Sequence, residues 1–335
     1  MFFGPLPTAR TEGAILAHSI RLADRVFKKG RVLGPEDVEV LLAGGEEEIF
    51  VARLEPGDVG EDAAAERIAR AVAGPGTSLT AARTGRCNLK AVHPGLVMLD
   101  PGAIGAVNRV DEAITIATLA PFARVSAGQM IATVKIIPLS APEAAVAAAE
   151  IAAGKGLSVV PFRPLRVALI QTYNSEEFGL LDKLSAVTAQ RIARLGGSLS
   201  GERRCDHAIG PLADAIKDLG VLTPDLILIA GITAVMDRRD VLPVGIERAG
   251  GRLLHLGMPV DPGNLLLVAE LGATPVIGLP GCARSPAMNG FDWVLERISA
   301  GLPVGRAEIA DMGVGGLLKD VADRPLPRKQ ATRQA

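Results

Sequence analysis

Two apolar runs constrain this chain more than any other feature. Arg166–Thr172 reads RVALIQT, and Asp225–Gly231 reads DLILIAG. Continuous apolar runs of this length suit strands buried on both faces, the signature of a parallel sheet covered by helices. Helical segments alternate with them. Leu180–Leu195 is predicted to end at Gly196-Gly197, Pro211–Leu219 is a second helix, and Arg238–Ala249 ends at Gly250-Gly251. Leu253–Leu256, Asn264–Ala269 and Pro275–Leu279 read as short strands, and Pro286–Ile298 as a closing helix. Strands alternating with helices predict a three-layer α/β/α sandwich with a mostly parallel sheet over residues 163–303.

The remainder is organised differently. Residues 1–75 read as a small α/β unit: a loose helix over Thr11–Lys29, a helix at Pro35–Ala43, a strand at Ile49–Leu54 and a helix over Asp58–Val72. Residues 76–162 are β-rich. Ile114–Leu119 and Met130–Ile137 are β-branched neighbours that read as paired strands, followed by an Ala-rich helix at 141–153. Gly154, Gly156, Pro161 and Pro164 mark the expected domain boundary, and residues 304–335 an expected tail, mobile beyond Asp320.

Composition excludes several functions. Lys+Arg is 36 against 37 Asp+Glu, for a formal net charge of -1, which argues against a nucleic-acid partner or a polybasic membrane surface. Aromatic residues make up only 3%, too few for base-stacking platforms. Mean hydropathy is +0.30, yet the longest apolar stretch, Leu226–Met236, falls well short of the roughly 20 residues of a membrane span. The N-terminus carries no secretory signal pattern, so a cytoplasmic, soluble protein is expected. Cys87, Cys205 and Cys282 form no CxxC pair, which argues against a disulfide framework or structural zinc.

In an open α/β sheet ligands bind at the carboxyl ends of the strands. Three such ends carry polar or glycine-rich loops here: Thr172–Glu176 with Asn174, Gly231–Asp240, and Gly278–Ser285. The third is read as opening the last helix. Its glycines would let backbone approach a phosphate, the helix N-terminus would offer N–H groups, and Arg284 would add charge. A tight strand-to-helix turn explains the same glycines. Asp240 fits a helix cap as well as a catalytic acid. Cys282 is either a reactive thiol at that helix start or a small filler. His255 reads as a core residue. His207 beside Cys205 and Asp206 does not read as a metal site, because neighbours on an extended chain point to opposite faces. Arg83, Arg86 and Asn88 in ARTGRCN read as a solvated turn or an anion site.

Taken together, DLILIAGITA, RRDVLP, GMPVDPGN and VIGLPGCARSP resemble the molybdopterin-binding domain shared by molybdopterin adenylyltransferases and molybdopterin molybdotransferases. The order and rough spacing match across residues 166 to about 302, with one extra residue before Arg239-Asp240; the strings KKGRVLGPEDV, GRCNL and ATVKIIP give the N-terminal half a looser likeness to proteins carrying this domain. The resemblance implies a pterin-phosphate or pterin-nucleotide site. Gly231, Thr233, Arg239, Asp240, Gly278, Pro280, Gly281 and Ser285 carry over, and Cys282, Arg284, Asn174 and Glu176 fall within it. Ile232 and Ala234 stand where the family has glycines, Cys282 where it has Asn, and TYNSE where it has Thr-Gly-Asp-Glu. The implied function is molybdopterin binding in molybdenum cofactor biosynthesis, with transfer to a cytidylyltransferase or a molybdoenzyme maturation partner, in a homo-oligomer. The alternatives are an active adenylyltransferase or molybdotransferase using Mg and ATP or molybdate, with Asp240 catalytic, and a nucleotide pyrophosphate hydrolase.

Overall fold

A computed structural model of the chain describes residues 1–174 and 178–318. It resolves into two compact units, Met1–Pro161 and Phe162 onward. The expected mobile tail beyond Asp320 lies outside the described residues.

In the first unit, Phe2–Pro7 and Ile15–Leu16 flank Glu48–Arg53 in a three-stranded sheet, with helix Pro35–Ala43 beside it. The helix expected over Thr11–Lys29 does not form. Three two-residue strands replace it, at Ile15–Leu16, Ile20–Arg21 and Val26–Phe27. Of the steps between the apolar residues Ile15, Ile20, Leu22 and Val26, only the last has helical spacing. The backbone bonds outward instead, Leu16 N–H to Arg31 O and Leu33 N–H to Ala14 O.

The helix expected from Asp58 begins at Glu61, because Asp58–Gly60 pairs as a strand with Ser140–Pro142. Helix Glu61–Val72 packs on a four-stranded antiparallel sheet, and helix Glu143–Ala153 packs on that helix. Its order is Ile114–Thr118, Met130–Ile136, Arg86–Ala91, Thr77–Leu79. Ile114 lies opposite Ile136. One continuous core runs beneath, from Ala64 and Ile68 to Val134, Val146 and Val159. The outer face of this sheet carries Arg86, Thr115, Thr133 and Lys135, none of them buried.

The second unit is the α/β sandwich. Its elements are β1 (Arg166–Tyr173), α1 (Phe178–Ala193), β2 (Ser198–Asp206), α2 (Ile209–Gly220), β3 (Leu226–Ala230), α3 (Val241–Arg248), β4 (Arg252–Leu256), β5 (Leu267–Leu271), β6 (Thr274–Gly278), α4 (Gly290–Ser299) and α5 (Arg306–Asp311). The sheet order is β2-β1-β3-β6-β5-β4. β2, β1, β3 and β6 run parallel, while β5 is antiparallel to both of its neighbours.

Alternation along β1 divides the core. Val167 and Leu169 join the cluster with Leu184 and Ile192 of α1 and with Phe291 and Val294 of α4. Ala168 and Ile170 join the cluster on the other face, with Leu212 and Ile216 of α2 and Ile246 of α3. Both faces are covered, which is why β1 and β3 must be apolar throughout.

No element is expected from the sequence at Ser198–Asp206, which forms β2, and α3 begins at Val241 rather than Arg238; three further boundaries also differ. β5 starts at Leu267 rather than Asn264, after a turn that includes a cis peptide at Asp261-Pro262. Residues past 304 form α5, and Asp261 bridges to Leu317. The closing helix starts at Gly290 rather than Pro286, because Asn289 and Asp292 cap it. Asn289 Oδ1 accepts from Phe291 N–H at 3.0 Å, and Asp292 Oδ2 accepts from Asn289 N–H at 2.8 Å.

Candidate functional site

β1, β2, β3 and β6 all deliver their carboxyl ends to one edge of the sheet, followed by Asn174, by His207, by the loop 231–240 and by the loop 279–289. Side chains tie these segments together there.

The loop 279–289 is not a helix start. Gly281–Arg284 forms one short 3-10 turn, and Ser285 returns to extended backbone. The N-terminus of α4 lies beyond it and is already capped. The expected seating of a phosphate on a helix N-terminus at Gly278–Ser285 is therefore corrected: that loop has no such N-terminus to offer.

The loop owes its shape to Arg191, near the end of α1. The Arg191 side chain is 3% exposed and ion-paired to Asp292, Nε to Oδ1, at 2.8 Å. Its Nη1 donates to Ala283 O at 2.7 Å, and Nη2 donates to Ser285 O at 2.5 Å and Ala287 O at 2.9 Å. A guanidinium is a planar fork of donors, and this one meets carbonyls at three points of a single loop.

Arg284 reaches out from the loop so pinned. Its Nη2 donates to Gly231 O at 3.1 Å and Ile232 O at 3.4 Å, joining the loops after β6 and β3. Nε and Nη1 have no protein partner among the described residues.

A second tie crosses from β1. Thr172 Oγ1 accepts from Ile232 N–H at 3.1 Å and lies 2.8 Å from His207 Nδ1. His207 Nε2 lies 3.0 Å from Thr233 Oγ1. A neutral ring satisfies this geometry, with the Thr172 hydroxyl donating to Nδ1 and Nε2–H donating to Thr233. Burial lowers the His207 pKa, opposed by the negative charge of Asp240.

The other expected polar residues of these loops make local contacts. Asp240 caps α3: Oδ1 accepts from Val241 N–H at 2.7 Å and Oδ2 from Met236 N–H at 3.3 Å. Arg239 turns to solvent and pairs with Asp237 at 2.7 Å, its side chain 90% exposed. Ser285 Oγ accepts from Ala287 N–H at 3.3 Å.

Gly231 and Gly278 are required by packing. A Cβ on Gly231 would meet Thr233 O at 2.8 Å, and one on Gly278 would meet Leu267 Cβ at 2.9 Å. Gly281, following Pro280, has open space where a Cβ would stand. Burial pushes the Cys282 thiol pKa up, which disfavours the thiolate. Asn174 is exposed, and Glu176 lies outside the described residues. Arg191 and His207 are thus additions to the site. The signal for Arg191 was a basic residue in the last turn of α1, an ordinary complement to the helix dipole.

No group of three or more His, Cys, Asp or Glu side chains that could hold a metal occurs among the described residues. No described helix is long and apolar enough to cross a membrane. A cavity of about 610 Å³ opens at the opposite edge of the sheet, near Leu165, Pro224 and Thr274, away from these loops.

Comparison with known proteins adds three findings. A family model described as a domain of unknown function (DUF8806) matches residues 5–53. Among curated proteins, none matches. Among solved structures, the chain is similar to a molybdopterin biosynthesis MoeA protein from Pyrococcus horikosii, at 15% identity and a TM-score of 0.32, covering 90% of this chain and 75% of that one. It is also similar to a molybdenum cofactor biosynthesis protein from Pyrococcus furiosus, at 12% identity and a TM-score of 0.27, covering 90% and 66%. Both likenesses are loose, and the chemistry of the site stands on its own residues.

Two outcomes are expected. Replacing Arg191 with Met leaves the Asp292 carboxylate and three loop carbonyls without their donor, and should destabilise the second unit by about 3 kcal/mol. Chemical denaturation checks this, and a loss under about 1 kcal/mol contradicts it. For His207, the folded-state pKa is depressed, so the unfolded chain binds the proton first. Its contribution to stability is present above the ordinary imidazole value of about 6.5 and is lost as pH falls through the folded value. Imidazole NMR, assigned with His207→Asn, should place its midpoint below that value; a midpoint at or above it refutes the half-buried neutral ring.

Proposed function

We propose that the unit beginning at Phe162 binds a phosphate-bearing pterin, molybdopterin or its nucleotide form, and serves molybdenum cofactor biosynthesis as a binding and transfer protein. One observation carries the reading. Arg284, from the string VIGLPGCARSP, donates to Gly231 and Ile232 of the string DLILIAGITA, 53 and 52 residues away in sequence. Two strings that resemble the molybdopterin-binding domain thus meet at the strand edge where an α/β sheet places its ligands.

The phosphate is held by the charge of Arg284 and by the uncluttered backbone at Gly281, in place of a helix N-terminus. Thr233, anchored through His207, presents a hydroxyl on the adjoining loop. Both carboxylate oxygens of Asp240 accept main-chain N–H groups within its own loop, which favours binding over Mg- and ATP-dependent chemistry. The physiological acceptor is then a cytidylyltransferase or a molybdoenzyme maturation partner.

Calorimetric titration with molybdopterin, with and without Mg-ATP, combined with chromatography of the pterin products, tests this. Binding without a new product is expected, weakened about tenfold or more by Arg284→Gln. An adenylated pterin replaces the carrier reading with an enzyme. Absence of any binding removes the pterin altogether.

A further inference from the structure

A second cluster of cations lies wholly within the first unit, on the exposed face of its four-stranded sheet. It is built on the turn Arg83-Thr84-Gly85-Arg86. Arg83 and Arg86 exchange both backbone hydrogen bonds, at 2.9 and 3.0 Å. The two residues between them are left-handed, with φ of 49° at Thr84 and 70° at Gly85. This is the tight hairpin turn whose twist suits paired strands, but it places a β-branched residue in a region that such residues avoid.

Three contacts hold the turn in place. Lys135 Nζ donates to Thr84 O at 2.5 Å, Gly85 N–H donates to Asp62 Oδ1 at 2.6 Å, and Ile136 N–H donates to Gly85 O at 2.8 Å.

The turn sets Arg86 directly opposite Lys135 in the strand register. Like charges facing each other across strands oppose pairing. Lys135 has partial relief from Glu61, 3.6 Å away. Arg86 has no carboxylate within ion-pair distance among the described residues. Its one side-chain bond runs from Nη1 to Thr133 Oγ1, at 3.1 Å. The Thr133 hydroxyl donates to Asn88 Oδ1 at 2.8 Å, so an oxygen lone pair is left to face the guanidinium and fix its direction.

Arg86, Thr133 and Lys135 line a cavity of about 460 Å³, with Asn108, Glu112 and Thr115 among the other walls. Both amide atoms of Asn108 bond the backbone of Ile116, and the Thr115 hydroxyl donates to Lys135 O. The charged donors left over are the remaining N–H groups of Arg86 and Lys135. Glu112 forms no ion pair with either cation.

We propose that this cavity is an oxyanion site for the phosphate group of a small phosphorylated molecule. Arg86 and Lys135 neutralise the phosphate and Thr133 positions Arg86. Glu112 accepts from a hydroxyl on the part of the ligand beyond the phosphate. An anion seated between the two cations turns their repulsion into a shared attraction, as charge-assisted hydrogen bonds to phosphate do elsewhere. The volume exceeds what a lone phosphate fills, which favours an ester over the free ion.

Calorimetric titration of the full chain with inorganic phosphate and with ribose 5-phosphate, at low ionic strength, decides the matter. Both probes are expected to bind, the ester more tightly. Arg86→Gln should raise Kd about tenfold or more, whereas Arg70→Gln, the same charge change on helix Glu61–Val72, should leave it unaltered. Thr133→Val should weaken binding and Thr133→Ser restore it, which a purely structural role for the β-branched side chain would not produce. Should Arg86→Gln fail to fold, Lys135→Gln supplies the same comparison. Equal affinity in the wild type and these charge variants overturns the proposal, as does a wild-type chain that binds neither probe.

Discussion

A guanidinium taken out of water must have its hydrogen bonds returned by the protein, and Arg191 has four. One goes to Asp292 and three go to carbonyls of the loop that follows β6. The pairing binds in both directions: the loop would have unpaired carbonyls without the arginine, and the arginine would be a buried lone charge without the loop. Asp292 adds a further link, because its second oxygen caps α4 through Asn289. Helix α1, the loop and helix α4 are therefore fixed together by one side chain. Only a loop held in this way can carry Arg284 to a defined place above β3.

The strand edge is built by the same economy. The Thr172 hydroxyl serves Ile232 N–H and His207 at once, and His207 passes the constraint to Thr233. Asp240 closes the loop 231–240 on itself while starting α3. The polar groups that define the mouth are therefore mostly satisfied by one another, and the guanidinium of Arg284 retains unpartnered donors. A site of this kind is suited to recognising an anion on a ligand.

Much of the second unit was legible in the sequence. RVALIQT and DLILIAG had to be central strands, because only burial on both faces tolerates such runs, and their residues do divide between two cores. The reversed direction of β5 was not legible, since LVAEL carries no mark of which way its neighbours run. The loop after β6 was read one turn too early: Pro286 suits a first helical turn, but the box formed by Asn289 and Asp292 places the start at Gly290. Arg191 and His207 were missed for a common reason. Their partners stand 92 to 101 residues away for Arg191, and 26 and 35 away for His207, and neither local pattern nor spacing encodes such meetings. In the first unit, Thr11–Lys29 has enough apolar residues for a helix, but their spacing served short strands instead. ARTGRCN was visible as a polar turn, while the opposition of Arg86 and Lys135 emerged only from strand register.

The loops after β3 and β6 form one unit through Arg284. Hydrogen–deuterium exchange of the backbone amides, comparing the wild type with Arg284→Gln, tests it directly. Faster exchange is expected across 231–240, a loop the substitution does not touch in sequence, while the Arg191-bound segment 283–287 keeps its protection. Unchanged exchange across 231–240 would mean that the two loops are independent, and would contradict a shared ligand site.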